Sequence, residues 1–304
     1  MRRGRSLLLA AYDESALQTT LIVNPFASRV SEELVAEVER VLRPVRTLRT
    51  ERAGHATELV GEVETESVVV FAGDGGFNEA LNGVREGTVV GFVPGGGTSV
   101  LPRALGLPRD PVAAAARIAL GHRRRISLGR VNGRRFAFSA GIGLDAELIR
   151  LMDARGRDEN GRRPGDLVFA WTAITALARH RGRFEPLLEL VGHGTAAFAL
   201  VGNCDPYTYA GPIPLRLTPK ASFEGGLDVV APRRVKPWGW PRFGVYALRG
   251  RGQERADDVL YGHDLDRLEI RCREPLPLQV DGEDLGDVTQ AVFEVERGVV
   301  EVLV

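Results

Sequence analysis

The sequence predicts an α/β plus β protein, with an N-terminal doubly wound parallel-sheet domain over residues 1–125 and a C-terminal antiparallel β-sandwich domain over residues 126–304. Apolar β-rich runs alternate with helical patterns as far as Arg125, the pattern of parallel strands joined by crossover helices. Beyond Arg125 the runs alternate apolar and polar residues, with turn signals recurring between them. A chain of 304 residues is also long enough for two cores, since domains run to about 100–200 residues.

In the first half, TTLIVNP (19–25) reads as a strand, and SEELVAEVERVL (31–42) as an amphipathic helix with Leu34, Val38, Val41 and Leu42 at helical spacing. SVVVFAG (67–73) is a buried strand, and EALNGV (79–84) belongs to a helix beginning near Phe77. TVVGFVPGGG (88–97) is another strand with a glycine exit. Asp110 and Pro111 start an alanine-rich helix over 111–120. In the second half, ISLGRVNGRRFAFSA (126–140) forms two runs around Asn132-Gly133, a strong hairpin signal. LLELVGHGTAAFALVGN (187–203) repeats the pattern around Gly192 to Gly194, and VFEVERGVVEVLV (292–304) repeats it around Arg297-Gly298. Residues 144–152 and 166–180 read as helices, with the mobile polar loop DARGRDENGRRPGD (153–166) between them.

Composition excludes several classes. Apolar residues make up 44% and charged residues 26%, as in ordinary globular proteins. No apolar run approaches the about 18 residues of a membrane span. With 40 basic and 40 acidic residues there is no global argument for nucleic acid, although Arg123, Arg124, Arg125, Arg130, Arg134 and Arg135 cluster. Cys204 and Cys272 have no metal or redox spacing and read as reduced, buried thiols. At the N-terminus, Arg2, Arg3 and Arg5 precede an apolar piece shorter than a secretory core, so the start reads as cytoplasmic.

Ligands of an open parallel sheet sit outside the carboxyl ends of its strands. Three such ends carry special residues here: Asn24-Pro25, Gly73-Asp74-Gly75-Gly76 and Gly95-Gly96-Gly97-Thr98. Glycine lets the chain turn sharply and lets phosphate oxygens approach backbone N–H groups, so these exits predict a phosphate cradle. No G-x-x-x-x-G-K-[ST] run occurs, which excludes a P-loop. Spacing leaves two readings open for Asp74: a magnesium ion shared with phosphates, or a cap on the helix near Phe77. FAFSAGIGLDAEL (136–148) also satisfies G-x-G-x-x-A, but the polar segment after it cannot be the second parallel strand that a dinucleotide fold needs.

AGDGGFNEALNG (72–83) resembles the Gly-Gly-Asp-Gly-Thr-x-Asn-Glu-x-x-Asn-Gly signature of the diacylglycerol kinase catalytic-domain family, which includes sphingosine kinases and bacterial YegS-like and DgkB-like lipid kinases. IVNPFAS (22–28), VPGGGTSVLPRALGLPRDP (93–111), FAFSAGIGLDAEL and LQVDGEDLG (278–286) resemble four further motifs of that family, in family order. Three positions depart from it: Ala72 replaces a glycine, Gly76 a threonine and Ser99 an asparagine. Gly76 removes a hydroxyl that could contact phosphate.

The resemblance implies ATP- and Mg2+-dependent transfer of a phosphoryl group to a hydroxyl of diacylglycerol or a related lipid. Glu283 matches the proton acceptor, with Asp281 and Asp74 ordering magnesium and the attacking oxygen. Spacing alone would make Asp281-Gly282-Glu283 a surface hairpin turn. The ATP positions are Asn24, Thr50, Ala72, Gly73, Asp74, Gly75, Gly76, Phe77, Asn78, Gly97 and Thr98. ASFEGGLDVV (221–230) matches a structural-magnesium segment, with Glu224 as carboxylate and Ala221 and Gly226 as carbonyl donors. Glutamate there is one methylene longer than the family aspartate.

The partner implied is a lipid presented at a membrane surface, met by a cytoplasmic protein at the inner face; a homodimer is compatible and nucleic acid is not expected. DLVFAWTAITALARH (166–180) and KPWGWPRFGVYALRG (236–250) pair tryptophan with basic residues, and each reads as a membrane contact or as a plain core helix. An NAD kinase-like small-molecule kinase and a non-catalytic nucleotide- or lipid-binding protein are the alternative readings.

Overall fold

A computed structural model describes residues 18–154 and 166–304. The arginine-rich start lies outside the described residues, as do residues 155–165 of the expected polar loop. The first lobe contains β1 (Thr19–Val23), α1 (Glu32–Leu42), β2 (Arg46–Arg49), α2 (His55–Glu62), β3 (Ser67–Ala72), α3 (Asp74–Gly83), β4 (Val89–Pro94), α4 (Val100–Ala104) and α5 (Pro111–Ile118). Its strands pair in parallel in the order β2-β1-β3-β4.

Every residue of β1, β3 and β4 is buried, which explains their unbroken apolar runs: helices cover both faces of the sheet. Alternate residues serve the two sides. Ile22, Val68, Val70 and Phe92 pack with Val60 of α2 and Phe77 and Leu81 of α3. Leu21, Val23, Val69 and Phe71 pack with Val35 and Val38 of α1 and Ala114 and Ile118 of α5. Ser31 Oγ accepts from Leu34 N at 3.3 Å and Asp110 Oδ1 from Ala113 N at 2.8 Å, so both expected helix starts are capped.

The second lobe contains β5 (Arg123–Val131), β6 (Arg134–Phe136), β7 (Ser139–Ile142), α6 (Leu144–Asp153), α7 (Asp166–Arg179), β8 (Leu188–Leu190), β9 (Gly194–Ala196) and β10 (Ala199–Gly202). It continues with β11 (Thr208–Ala210), β12 (Ile213–Leu215), β13 (Leu227–Pro232), α8 (Trp240–Arg249), β14 (Val259–Leu265), β15 (Arg267–Val280) and β16 (Glu283–Leu303). These strands pair antiparallel with one another around a core that includes Phe136, Ile142, Leu188, Ile270 and Phe293. Cys204 is buried and Cys272 half-buried, both as free thiols.

Asn132 and Gly133, at φ +47° and +92°, form the expected β5–β6 turn. Gly192 to Gly194 likewise joins β8 to β9. The hairpin expected at Arg297-Gly298 is absent: β16 runs straight through it, paired with β5 on both sides. A register shift between Glu296 and Val300, with Gly298 at φ +56°, makes this a bulge, and Gly298 N donates to Ser127 Oγ at 3.2 Å. A bulge and a turn both favour glycine, so local sequence does not separate them.

The expected division at residue 125 falls inside β5, and β16 crosses it. Glu301 and Val302 pair in parallel with Val89 and Val90, and Val300 and Val302 lie in the first lobe's core. One hydrogen-bonded sheet network therefore runs from β2 to β14.

Candidate active site

The site forms where the carboxyl ends of β1, β3 and β4 face the β15–β16 turn. α3 begins at Asp74, three residues before the start expected near Phe77, so Asp74-Gly75-Gly76 is its first turn and Gly73 its N-cap. Asp74 is therefore the first residue of the helix and not its N-cap. Its Oδ1 accepts from Leu101 N at 3.3 Å, at the start of the neighbouring α4. The two glycine loops touch: a Cβ added at Gly96 would stand 2.9 Å from Gly73 Cα.

Asp281 and Gly282 occupy a two-residue turn with φ of +48° and +81°, and Val280 pairs with Glu283 across it. The expectation of a surface turn fails at Asp281, which is 3% exposed. Its carboxylate accepts from Ala137 N at 2.7 Å, Phe138 N at 3.0 Å, Ser139 N at 3.1 Å and Asn78 Nδ2 at 2.8 Å. Burial raises the pKa of this carboxyl, and its four N–H donors oppose the rise. Asp281 thus ties α3 of the first lobe to β6–β7 of the second.

Glu283 leaves the same turn toward the first lobe. Its Oε2 accepts from Arg134 Nη2 at 2.9 Å, and a Cβ added at Gly75 would stand only 2.5 Å from Oε1. Arg134 also donates to Asn78 Oδ1 at 2.7 Å. A carboxylate carried by the second lobe therefore lies directly over the first turn of α3. Beneath the turn, Gly282 N donates to Gln279 Oε1 at 2.9 Å, and Gln279 Nε2 donates to Asp145 Oδ2 at 2.6 Å. Tyr207 Oη donates to the same oxygen at 2.8 Å; desolvation raises the Asp145 carboxyl pKa, against the pull of these two donors. Asp145 was legible only as part of a motif, and Arg134 only as part of a basic cluster. Gln279 was likewise legible only inside the LQVDGEDLG motif, and Tyr207 carries no sequence signal, because its role depends on pairings far apart in the chain.

On the phosphate side, Asn24 holds its own turn, accepting at Oδ1 from Phe26 N at 2.9 Å, and its Nδ2 lies 3.7 Å from a Cβ added at Gly76. That Cβ would also meet Ala72 Cβ at 2.7 Å, so the two departures from the family signature fit each other: Ala72 fills the space that a side chain at 76 would need. Thr50 is buried next to Asn24, with its N–H on Val23 O at 2.9 Å, and does not cap α2. Phe77 and Asn78 are buried in the helix, Gly97 is exposed and Thr98 half-buried. Arg29, Gly97, Arg109 and Asp110 line an open cleft of about 450 Å3 beside the second glycine loop. Neither arginine was singled out from sequence. Arg103 reaches from α4 to Gly211 O at 3.2 Å and stacks 3.3 Å over the Tyr209 ring, linking this loop to the β11–β12 hairpin.

Ala221, Glu224 and Gly226 are not brought to this centre. They lie beside the start of β5, where Glu224 Oε1 is held by Arg124 Nη2 at 2.5 Å. Gly226 N donates to Asp264 Oδ1 at 2.6 Å, and a Cβ there would meet Arg297 Nη2 at 2.8 Å. Arg124 thus engages the Glu224 carboxylate, and Arg297 stands beside Gly226. These residues do not fit a divalent ion, since a hard cation needs several free oxygen ligands. Asp74, half-buried, places one carboxylate beside the glycine loops.

Residues 18–131 match the family described as "Diacylglycerol kinase catalytic domain". The chain is 32% identical over 142 residues to a diacylglycerol kinase of Bacillus subtilis (strain 168), covering 42% of this chain and 46% of that one. It is 31% identical over 129 residues to a diacylglycerol kinase of Staphylococcus saprophyticus, covering 38% and 42%. Each match therefore spans less than half of the relative's length. Among solved structures, the fold resembles that of a diacylglycerol kinase from Bacillus anthracis str. Sterne, with a TM-score of 0.70 at 21% identity, over 95% of this chain and 97% of that one. It also resembles, with a TM-score of 0.50 at 9% identity over 94% and 93%, an NAD kinase from Archaeoglobus fulgidus solved in complex with ATP.

Proposed function

From the match of residues 18–131 to the diacylglycerol kinase catalytic-domain family, we propose that the whole chain is an ATP-dependent lipid kinase that phosphorylates a hydroxyl of diacylglycerol or a related lipid. The observation that supports this reading is the position of Glu283 Oε1 over Gly75, a carboxylate beside the glycine loops. The triphosphate lies along the glycine loops, with the α3 N-terminus and the Arg29 and Arg109 side chains offering positive potential. The acceptor hydroxyl approaches Glu283 Oε1 beside Gly75, and the Glu283 carboxylate takes its proton as the hydroxyl oxygen attacks the γ-phosphorus and the bond from that phosphorus to the β–γ bridging oxygen breaks, releasing ADP. Arg134 keeps that carboxylate in one orientation. Asp74 would hold a magnesium ion arriving with the nucleotide, which would neutralise phosphate charge.

Asp281 has a different part. With both oxygens engaged by N–H donors, it positions the Gly282-Glu283 turn against Asn78 rather than binding metal. The reading extends to a cytoplasmic protein working at the inner membrane face.

Glu283→Gln keeps the shape and removes the base. Nucleotide binding and the folded state should persist while phosphoryl transfer falls at least about 100-fold. Near-normal turnover in that variant would refute the assigned base, and phosphorylation of NAD with none of diacylglycerol would overturn the acceptor class.

A further inference from the structure

α7 and α8 pack their inner faces on one cluster. Ala176 and Phe184, at and beyond the end of α7, meet Phe198, Trp240 and Phe243. Trp240 Nε1 donates to Gly182 O at 3.0 Å, and Phe184 bridges to Val235, so the end of α7 adjoins the start of α8. The outer sides of the two helices consequently form one side of the second lobe.

That side is apolar in an unusual way. Trp171 is 63% exposed and Ile174 58% on α7, and Trp238 is 73% and Leu248 57% exposed on and beside α8. It is also rich in basic residues: residues 167–184 and 229–253 contain no aspartate or glutamate, in a chain whose charges balance overall, and only Arg234, with Glu185, and Arg242, with Asp258, of the cations between Arg233 and Arg251 pair with a carboxylate among the described ion pairs. Arg179, Arg181 and Arg183 are exposed at and after the end of α7, and six more exposed cations run from Arg233 to Arg251 inclusive. Lys236 stands 5.3 Å from the Trp238 ring. Exposed tryptophans among cations are the chemistry of a bilayer interface, where the rings enter the headgroup layer and the cations meet anionic phosphates.

We infer that the α7–α8 face docks the protein on a bilayer surface bearing anionic phospholipid headgroups. The face is one helix away from Glu283. α6 meets the α7 side through Glu147 Oε2 and His180 Nε2 at 2.9 Å, and meets the β15–β16 turn through Arg150 with Asp284 at 2.8 Å and Asp287 at 2.7 Å. Docking there deepens the lipid-kinase reading, because it sets the turn carrying Glu283 at a fixed height above the membrane that holds the acceptor.

Vesicle sedimentation tests the docking without any turnover. The full chain should bind phosphatidylcholine vesicles containing phosphatidylglycerol, bind pure phosphatidylcholine far more weakly, and be released by salt. Two double variants touch only exposed side chains: Trp238→Ala with Leu248→Ser, and Arg249→Glu with Arg251→Glu. Each should lose more than tenfold in vesicle affinity. Each should keep normal turnover on a short-chain diacylglycerol dispersed without vesicles, which reads catalysis separately. Failure of that turnover in the parent protein sinks the kinase reading and leaves the docking standing. Vesicle binding that is absent, indifferent to phosphatidylglycerol, or unchanged in the variants overturns the docking. A concentration-dependent dimer abolished by the tryptophan variant also overturns it, since the face would then belong to a second copy.

Discussion

Glu283 and Gly75 form the contact on which the proposed chemistry depends, and the contact is narrow. Position 75 lies in the first turn of α3, where alanine is intrinsically favoured over glycine by up to about 1 kcal/mol. Yet the Cβ of an alanine would fall 2.5 Å from Glu283 Oε1, so the end of that flexible side chain must move aside. Gly75→Ala should therefore leave thermal stability unchanged or slightly raised while kcat falls about 100-fold, the scale expected when a reacting group is misplaced by about 1 Å. A variant that is both stable and fully active would show that Oε1 has no part in the reaction. The same reasoning explains why a glycine at 76 does not signal a decayed site. With Ala72 in the preceding strand, the loop is packed for a glycine there, and under the proposed function position 76 offers phosphate only its backbone N–H.

Among the elements, α6 has a role that no local pattern announced, because its importance rests on Arg150 reaching across to Asp284 and Asp287 in β16. The Arg150 guanidinium, hydrogen-bonded to Asp284, holds that carboxyl below the usual carboxylate range, against the smaller effect of burial. A depressed folded-state pKa means stability that is present in full above the unfolded value, about pH 4, and lost as pH falls through the lowered value. Arg150→Ala should then cost about 1 kcal/mol at neutral pH, modest because the guanidinium is partly solvated. Denaturant titrations should show the gap between variant and parent closing below about pH 4; a gap of the same size in acid would assign the loss to packing instead. Legibility followed the same line between local and distant. Asn132-Gly133 and Asp110-Pro111 carry their geometry in adjacent residues, so both the hairpin and the helix start could be read directly. Arg297-Gly298 could not, since only the pairing partner β5 decides between bulge and turn. The early start of α3 was hidden by two glycines that score poorly as helix formers. Within the site, motif order pointed to Glu283, Asp281 and Asp74, whereas Arg134 became meaningful only once Glu283 and Asn78 were beside it.

At the scale of the whole molecule, the two lobes share β16, and the sharing determines how the protein should unfold. Its first residues close the turn that carries Glu283, its middle pairs with β15 and β5, and its last residues enter the parallel sheet beside β4. Val302 is fully buried in the first lobe's core with Val90 and Phe92. All three tryptophans, Trp171, Trp238 and Trp240, lie in the second lobe and report on it alone. Val302→Ala removes two methyl groups from a packed core and should cost about 2 kcal/mol. If the lobes unfold as one unit, tryptophan fluorescence and far-ultraviolet circular dichroism should give the same midpoint, and the variant should lower both by the same amount. A fluorescence midpoint that stays fixed while the dichroism transition moves would show that the second lobe is stable by itself, and that β16 is a tether rather than a shared structural member. The distinction bears on catalysis, because a shared strand fixes Glu283 relative to Gly75 through continuous backbone pairing, whereas a tether would leave that distance to the Asp281–Asn78 contact and the Arg134 pair.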